Sequence, residues 1–141
     1  MTYHFHRYQG DLSDFFDQVF TQQYENFFQE IKPNEQKEIF QFVLEKEQQI
    51  LAAASCQRLY ETLKISDLAV KSQYQRKGLG RCLLKEIKNF AKKSGLKTIV
   101  LTTRSYQAKD FYLKQDFQVY GSLDDLPFKS VKTYYMAYRV D

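Results

Sequence analysis

The stretch Val70–Arg81, VKSQYQRKGLGR, constrains this chain more than any other. Before it, Leu63, Ile65, Leu68 and Val70 read as an apolar strand. After it, Leu79, Leu83, Leu84, Ile87, Phe90 and Ala91 recur at helical spacing to Lys93, with Gly95 as a stop. A strand therefore feeds a helix through a glycine-bearing turn. The first four N–H groups of a helix have no internal partner and carry the positive end of its dipole, so the turn is a place for an anion. Gly78 and Gly80 would let an oxygen-rich ligand approach the main chain, and Arg76, Lys77 and Arg81 add positive charge. Cations there oppose the dipole unless a bound anion offsets them.

The spacing narrows the ligand. A Walker loop needs G-x-x-x-x-G-K-[ST] and a dinucleotide fold needs G-x-G-x-x-G; Gln75-Arg76-Lys77-Gly78-Leu79-Gly80 fits neither. Nucleotide hydrolysis and dinucleotide-dependent redox chemistry are both disfavoured.

The other elements follow from periodicity. Tyr3, Phe5 and Arg7 alternate with His4, His6 and Tyr8 as in a short first strand. Asp11 is placed to cap a helix carrying Leu12, Phe15, Phe16, Val19 and Phe20, and Tyr24, Phe27, Phe28 and Ile31 form a second amphipathic run before Pro33. These phenylalanine-rich faces are expected to fill a core, or else to wall a pocket. Residues 34–38 read as a polar connector, Ile39–Leu44 as a strand, Glu45–Gln48 as a turn and Gln49–Arg58 as the next strand. In the strand from Tyr60 the alternation slips between Ile65 and Leu68, as an inserted residue, a β-bulge, would make it do; an early strand end at Ser66 and Asp67 is the other reading. Past the helix, Lys97–Thr103 contains the apolar run Ile99-Val100-Leu101 of a strand buried on both faces, and strand–helix–strand implies a parallel crossover. Tyr106–Tyr112 suits a short helix, Phe117–Tyr120 a strand, and Val131–Val140 a last strand with Tyr134, Met136, Tyr138 and Val140 on one face.

At 141 residues the chain is about one domain, 1–141, and its net charge of +4 suits an anionic ligand better than a nucleic acid. Cys56 and Cys82 lack metal-ligand spacing and read as buried free thiols in a reducing compartment. His4 and His6 share a strand face, but no third histidine completes a metal site, so no metal is expected. The chain start lacks the apolar segment of a signal peptide, and no run approaches the ~18 residues of a membrane span. A soluble, cytoplasmic protein is expected.

Gln75–Gly80 is similar to the Q/R-x-x-G-x-G/A pyrophosphate-binding turn of the GNAT superfamily of N-acetyltransferases. A second motif supports the resemblance. GNAT proteins commonly show N-x-x-A-x-x-F-Y-x-x-x-G-F after the buried strand, and here Ala108, Phe111, Tyr112 and Phe117 match in register. Ser105 stands where Asn is usual and Asp116 where Gly is usual. Asp tolerates a left-handed backbone better than most residues, so that departure costs little. The resemblance covers Tyr60–Tyr120.

The resemblance implies an α/β fold, a mixed central sheet with flanking helices, with strands 4 and 5 splayed and a bulge in strand 4. It implies acetyl-CoA as co-substrate. Backbone groups of Leu68, Ala69 and Val70 would bind the pantetheine arm and polarise the thioester carbonyl. Gln75, Arg76, Lys77, Gly78, Leu79, Gly80 and Arg81 would hold the pyrophosphate, with Ser105 and Lys109 near the arm or the adenosine. Lys85, Lys88, Lys92 and Lys93 read as a solvated helix face. Acetyl transfer to an amine needs a base and an acid, because an alkylamine starts protonated and a departing thiolate benefits from a proton. Tyr112 is the acid the resemblance implies. Glu61 and Asp67 are both candidate bases, and a water chain is a third route. The acceptor is expected to be a small-molecule amine rather than a protein. No membrane or nucleic-acid partner is expected, and the tyrosines of an exposed last strand could pair across a homodimer. A GNAT-like module that binds an acyl-CoA or a partner without turnover is the alternative.

Overall fold

The apolar runs of the longer part of the chain form one sheet in a computed structural model that describes residues 2–33 and 37–141. Its strands are β1 (Lys37–Lys46), β2 (Gln49–Leu59), β3 (Thr62–Val70), β4 (Thr98–Arg104), β5 (Gln118–Leu123) and β6 (Thr133–Arg139). Helix α1 is Ser13–Phe28, α2 is Leu79–Lys93 and α3 is Lys109–Lys114. The molecule falls into two compact units, Met1–Asn34 and Glu35–Asp141.

In the second unit the sheet order is β1-β2-β3-β4-β6-β5, with β3 and β4 parallel and the other neighbours antiparallel. It is a mixed sheet of the α/β class. Helix α2 joins β3 to β4 and buries Leu83, Leu84, Ile87 and Ala91. They pack in one core with Leu63, Ile65, Ile99, Leu101, Phe117 and Met136. Leu63 and Ile65 are followed on the same face by Leu68 and Val70, both packed against that core. The pairing permits this because it steps from Cys56 opposite Ile65 to Ser55 opposite Asp67, so Ser66 has no counterpart on β2. Without that step every later side chain of β3 would change face.

The last strand does not lie exposed. β6 runs between β4 and β5, so the sheet edges are β1 and β5, and the expected dimer pairing through a free last strand has no open side to use. Tyr134, Met136 and Tyr138 do share one face as expected, and that face packs on the core. Strand β1 is longer than the pattern suggested, and residues 34–36 of the expected connector lie outside the described residues. Cys56 is buried, but Cys82 is exposed on the outer side of α2, contrary to expectation.

The first unit departs most from the sequence reading. No strand forms at Tyr3–Tyr8. Alternation alone makes no strand without a partner to pair with. The strands numbered 4 and 5 by pattern are therefore β3 and β4. The two expected helices are one, because Phe16, Phe20, Tyr24 and Phe28 are each four residues apart and no breaker interrupts them. Phe16 stacks on Phe20 at 5.7 Å and Tyr24 meets Phe28 at 4.5 Å. The Asp11 carboxylate accepts from the Ser13 N–H at 2.8 Å and from its hydroxyl at 2.6 Å, and these bonds lower its pKa. No residue of α1 is buried, so its phenylalanines do not fill a core as expected. His4 and His6 are exposed, and no metal-ligating cluster occurs among the described residues.

Candidate active site

The parallel pair β3 and β4 holds together for only three residue pairs, Thr62 with Thr98, Leu63 with Ile99 and Lys64 with Val100. Beyond them the strands line a cavity of about 340 Å³. β3 contributes Ile65, Ser66, Asp67, Leu68 and Ala69; β4 contributes Leu101 to Arg104; Gln107, Ala108 and Tyr112 close it. The site lies at the carboxyl ends of two parallel strands, where ligands of open α/β sheets bind.

Main-chain groups face this slot. The Lys71 N–H donates to the Leu51 carbonyl at 2.9 Å, which makes that an exchanging pair of the β2–β3 ladder. Such pairs alternate in an antiparallel ladder, so Val70 and Leu68, opposite Ala52 and Ala54, direct their N–H and C=O away from β2. β4 no longer reaches them there. One of the four groups is taken: the Gln75 amide Nε2 donates to the Val70 carbonyl at 3.0 Å. The other three are open to a ligand. Ala69 lies in a pair that bonds back to β2, so its side of the main chain does not face the slot.

At the end of β3 a short 3-10 turn, Ser72–Tyr74, leads into Gln75–Gly78 and α2. Gly78 adopts φ 82°, ψ 10°, and a Cβ there would meet nothing within 4 Å, so glycine is needed for its conformation and the space beside it is open. Arg76 also has positive φ, 64°. No side chain caps α2, and its first internal bond runs from the Cys82 N–H to the Gly78 carbonyl at 3.0 Å. The N–H groups of Leu79, Gly80 and Arg81 thus have no partner among the described residues. Arg76, Lys77 and Arg81 are exposed beside them, Lys77 lying 5.5 Å from the centre of the Tyr74 ring. Gly80 serves packing. A Cβ on it would come within 3.3 Å of Phe111 Cζ and 3.6 Å of Val70 Cγ2, so its hydrogen lets α2 approach α3 and β3.

Tyr112 comes up from α3 and is 7% exposed, its ring edge-on to Phe111 at 5.2 Å and to Phe117 at 5.6 Å. Burial raises its pKa above the usual phenol value, which keeps it protonated at neutral pH. Thr103, 2% exposed, accepts from the Ala108 N–H at 3.2 Å and so fixes the start of α3.

The two candidate bases are separated. Asp67 lies in the slot, whereas Glu61 sits in the β2–β3 turn, its carbonyl accepting from the Lys97 N–H at 2.7 Å. Six residues of strand put it about 20 Å from Asp67. Ser105 and Lys109 do not line the slot either. The Ser105 hydroxyl accepts from the Lys132 N–H at 3.1 Å, and Lys109 Nζ lies 4.7 Å from the Tyr134 ring centre. Lys88 is not part of a solvated face. Its ammonium donates to the Gln115 carbonyl at 2.6 Å and sits 4.3 Å from the Tyr138 ring centre, and burial lowers its pKa. β4 is buried on one face only, Ile99, Leu101 and Thr103 alternating with the half-buried Val100 and the exposed Thr102, not on both faces as expected. Sequence reasoning missed Thr103, Arg104 and Gln107; their position just past the apolar run Ile99–Leu101 was the available signal.

A parallel pair that parts beside an uncapped helix N-terminus gives an α/β fold with free main-chain groups and an anion site at one end of its sheet. The model of the Acetyltransferase (GNAT) family matches residues 6–117, and the chain belongs to that family. An acetyltransferase from Bacillus cereus ATCC 14579 has the same fold, with a TM-score of 0.76 at 26% identity over 95% of this chain and 96% of that one. A Bacillus anthracis protein assigned as a streptothricin acetyltransferase, solved with acetyl coenzyme A, gives a TM-score of 0.64 at 23% identity over 77% of this chain and 64% of that one. The uncharacterized N-acetyltransferase CgeE of Bacillus subtilis is 39% identical over 61 residues, 43% of this chain. The aligned part of the chain spans 24% of that relative's length. No helix among the described residues is long and apolar enough to cross a membrane.

Proposed function

We propose that this protein transfers the acetyl group of acetyl-CoA to a primary amine of a small molecule. The observation that supports the reading is the parting of β3 from β4 after three pairs, which leaves the N–H and C=O of Leu68, in one cavity with Tyr112, and the N–H of the neighbouring Val70 without a strand partner. A pantetheine arm carries amides that such groups can pair with. The free N–H groups of Leu79, Gly80 and Arg81, with the exposed Arg76, Lys77 and Arg81 side chains, suit its diphosphate.

In this mechanism the amine nitrogen attacks the thioester carbonyl, an N–C bond forms and the C–S bond breaks. The Leu68 or Val70 N–H steadies the negative charge on the carbonyl oxygen, a contribution typically worth about 10²–10³ in rate. The Tyr112 hydroxyl gives its proton to the departing thiolate and regains one from solvent. The proton lost by the amine leaves through Asp67 or through water; Glu61 is too far away to take it directly. An RNA-binding role is disfavoured, because the exposed aromatic rings of α1 sit on a helix with Asp14, Asp17 and Glu25 and no Lys or Arg.

Thiol release from acetyl-CoA across a panel of amines tests the reading, beside Tyr112→Phe. The ring stays packed in that variant, so melting should be unchanged while kcat falls about 10²- to 10⁴-fold. Acetyl-CoA binding with no amine releasing thiol, and no effect of Tyr112→Phe, would instead identify a binding module without turnover.

A further inference from the structure

The slot holds two charged side chains that the reaction as written does not require together. Asp67 of β3 stands opposite Ser55, on the sheet face away from the buried Ala54 and Cys56. Arg104 of β4 follows the buried Thr103, whose side chain points to the helix-bearing face at α3, so the Arg104 side chain projects to the opposite face. Both therefore project from the same sheet face, one on each side of the gap, and both line the cavity.

Neither is neutralised. Among the described residues the only ion pair is Lys132 with Asp124 at 4.0 Å, and the hydrogen bonds at Arg104 are made by its main chain. Its N–H donates to the Gln107 side-chain oxygen at 2.9 Å and its carbonyl accepts from the Gln107 N–H at 2.8 Å. Arg104, a half-buried residue, is thus held at its backbone while its guanidinium has no acceptor among the described residues. A guanidinium at the wall of a cavity binds best where an acceptor meets it, and its planar fork matches a carboxylate in two parallel bonds.

Resting on the acetyltransferase reading, we infer that the acceptor is an amine whose own molecule carries a carboxylate, an amino acid or a very short peptide. Asp67 draws the ammonium end to the thioester side of the slot, and Arg104 takes the carboxylate across the gap. The two charges are complementary to such a zwitterion. A simple alkylamine would leave Arg104 unpaired, and a polycation would be repelled by it.

The test compares glycine, alanine, glutamate and glycylglycine with their methyl esters in the thiol-release assay with acetyl-CoA. Esterification lowers the pKa of the amine and by itself favours the ester, so a higher kcat/KM for the free acid reports recognition. The free acid should be preferred about 10- to 100-fold, the scale of one charge-assisted pair. In Arg104→Met that ratio should fall to one or below, with acetyl-CoA affinity measured by calorimetry unchanged. Equal or better turnover of the esters by the native protein overturns the inference and leaves acetyl transfer standing. A loss of acetyl-CoA affinity in Arg104→Met also overturns it, assigning Arg104 to the cofactor. Thiol release from none of the acids, esters or simple amines, with acetyl-CoA still bound, removes the acetyltransferase reading itself.

Discussion

Deletion of Ser66 isolates the cause of the parted strands. Ser66 is the one residue of β3 passed over between the pairs Ile65 with Cys56 and Asp67 with Ser55. Removing it leaves all the other pairs in register, so Leu68 and Val70 keep their places on the core face. What should change is the course of the strand. An unopposed residue bends and twists the strand that carries it, and without it β3 is free to run on beside β4 toward Arg104.

The gain in stability can be estimated from the open groups. Leu68 and Val70 present four main-chain groups to the slot, and Gln75 occupies one, the Val70 carbonyl. Three bonds to β4 become available, each worth about 0.5–1.5 kcal/mol net, or roughly 1.5–4.5 kcal/mol together. For a chain of this size that raises the melting temperature by at least about 3 °C. The same closure removes the slot. Calorimetry with acetyl-CoA should therefore show binding weakened at least ~10-fold in a variant that melts higher than the native protein, the scale of losing three backbone bonds to the ligand. A deletion variant that binds acetyl-CoA with native affinity would refute the reasoning, as would one that melts lower while still folding.

Two further perturbations probe groups that the chemistry does not use. Lys88→Met should cost roughly 1–2 kcal/mol in urea melts, because it removes the charged bond to the Gln115 carbonyl, whereas Lys92→Met, at an exposed position of the same helix, should stay within about 0.5 kcal/mol. Burial raises the Cys56 thiol from 9.0 to about 11, so the folded state holds a proton that the unfolded state loses between those values. Its contribution is complete below pH 9 and is lost as pH rises through about 11, at up to ~1.4 kcal/mol per pH unit. Cys56→Ala should flatten that alkaline decline in urea melts taken from pH 8 to 11; an unchanged slope would show that the thiol is not its source.

The glycine turn, the start of α2 and the irregularity of β3 were legible because they are written locally. A glycine at Gly78 that must take positive φ, a helical repeat from Leu79 and a slip of alternation at Ser66 each act through neighbours a few residues away. The first unit shows the limit of the same method. Tyr3–Tyr8 alternates as a strand would, but pairing is a relation between segments, and Phe16, Phe20, Tyr24 and Phe28 continue one helix through what looked like a join. Lys88 failed for a related reason: its place on α2 says nothing of Tyr138 and Gln115, which the fold brings over it.

The acceptor side is illegible for a deeper reason than distance along the chain. Asp67 and Arg104 line one slot only because β3 and β4 part, and Asp67 lies on the face of Arg104 because Ser66 is passed over in the pairing rather than taking a partner on β2. A pattern reader that counts straight from Ile65 puts Asp67 on the helix face, away from Arg104. The step in pairing at Ser66 thus bears both on the opening of the slot and on which side chains line it. Acceptor choice in this fold should then respond to the register of β3 as strongly as to the side chains themselves. Asp67→Asn would leave Arg104 in place with the slot intact, and so should weaken amine capture without disturbing acetyl-CoA, in contrast to deletion of Ser66, which should lose both.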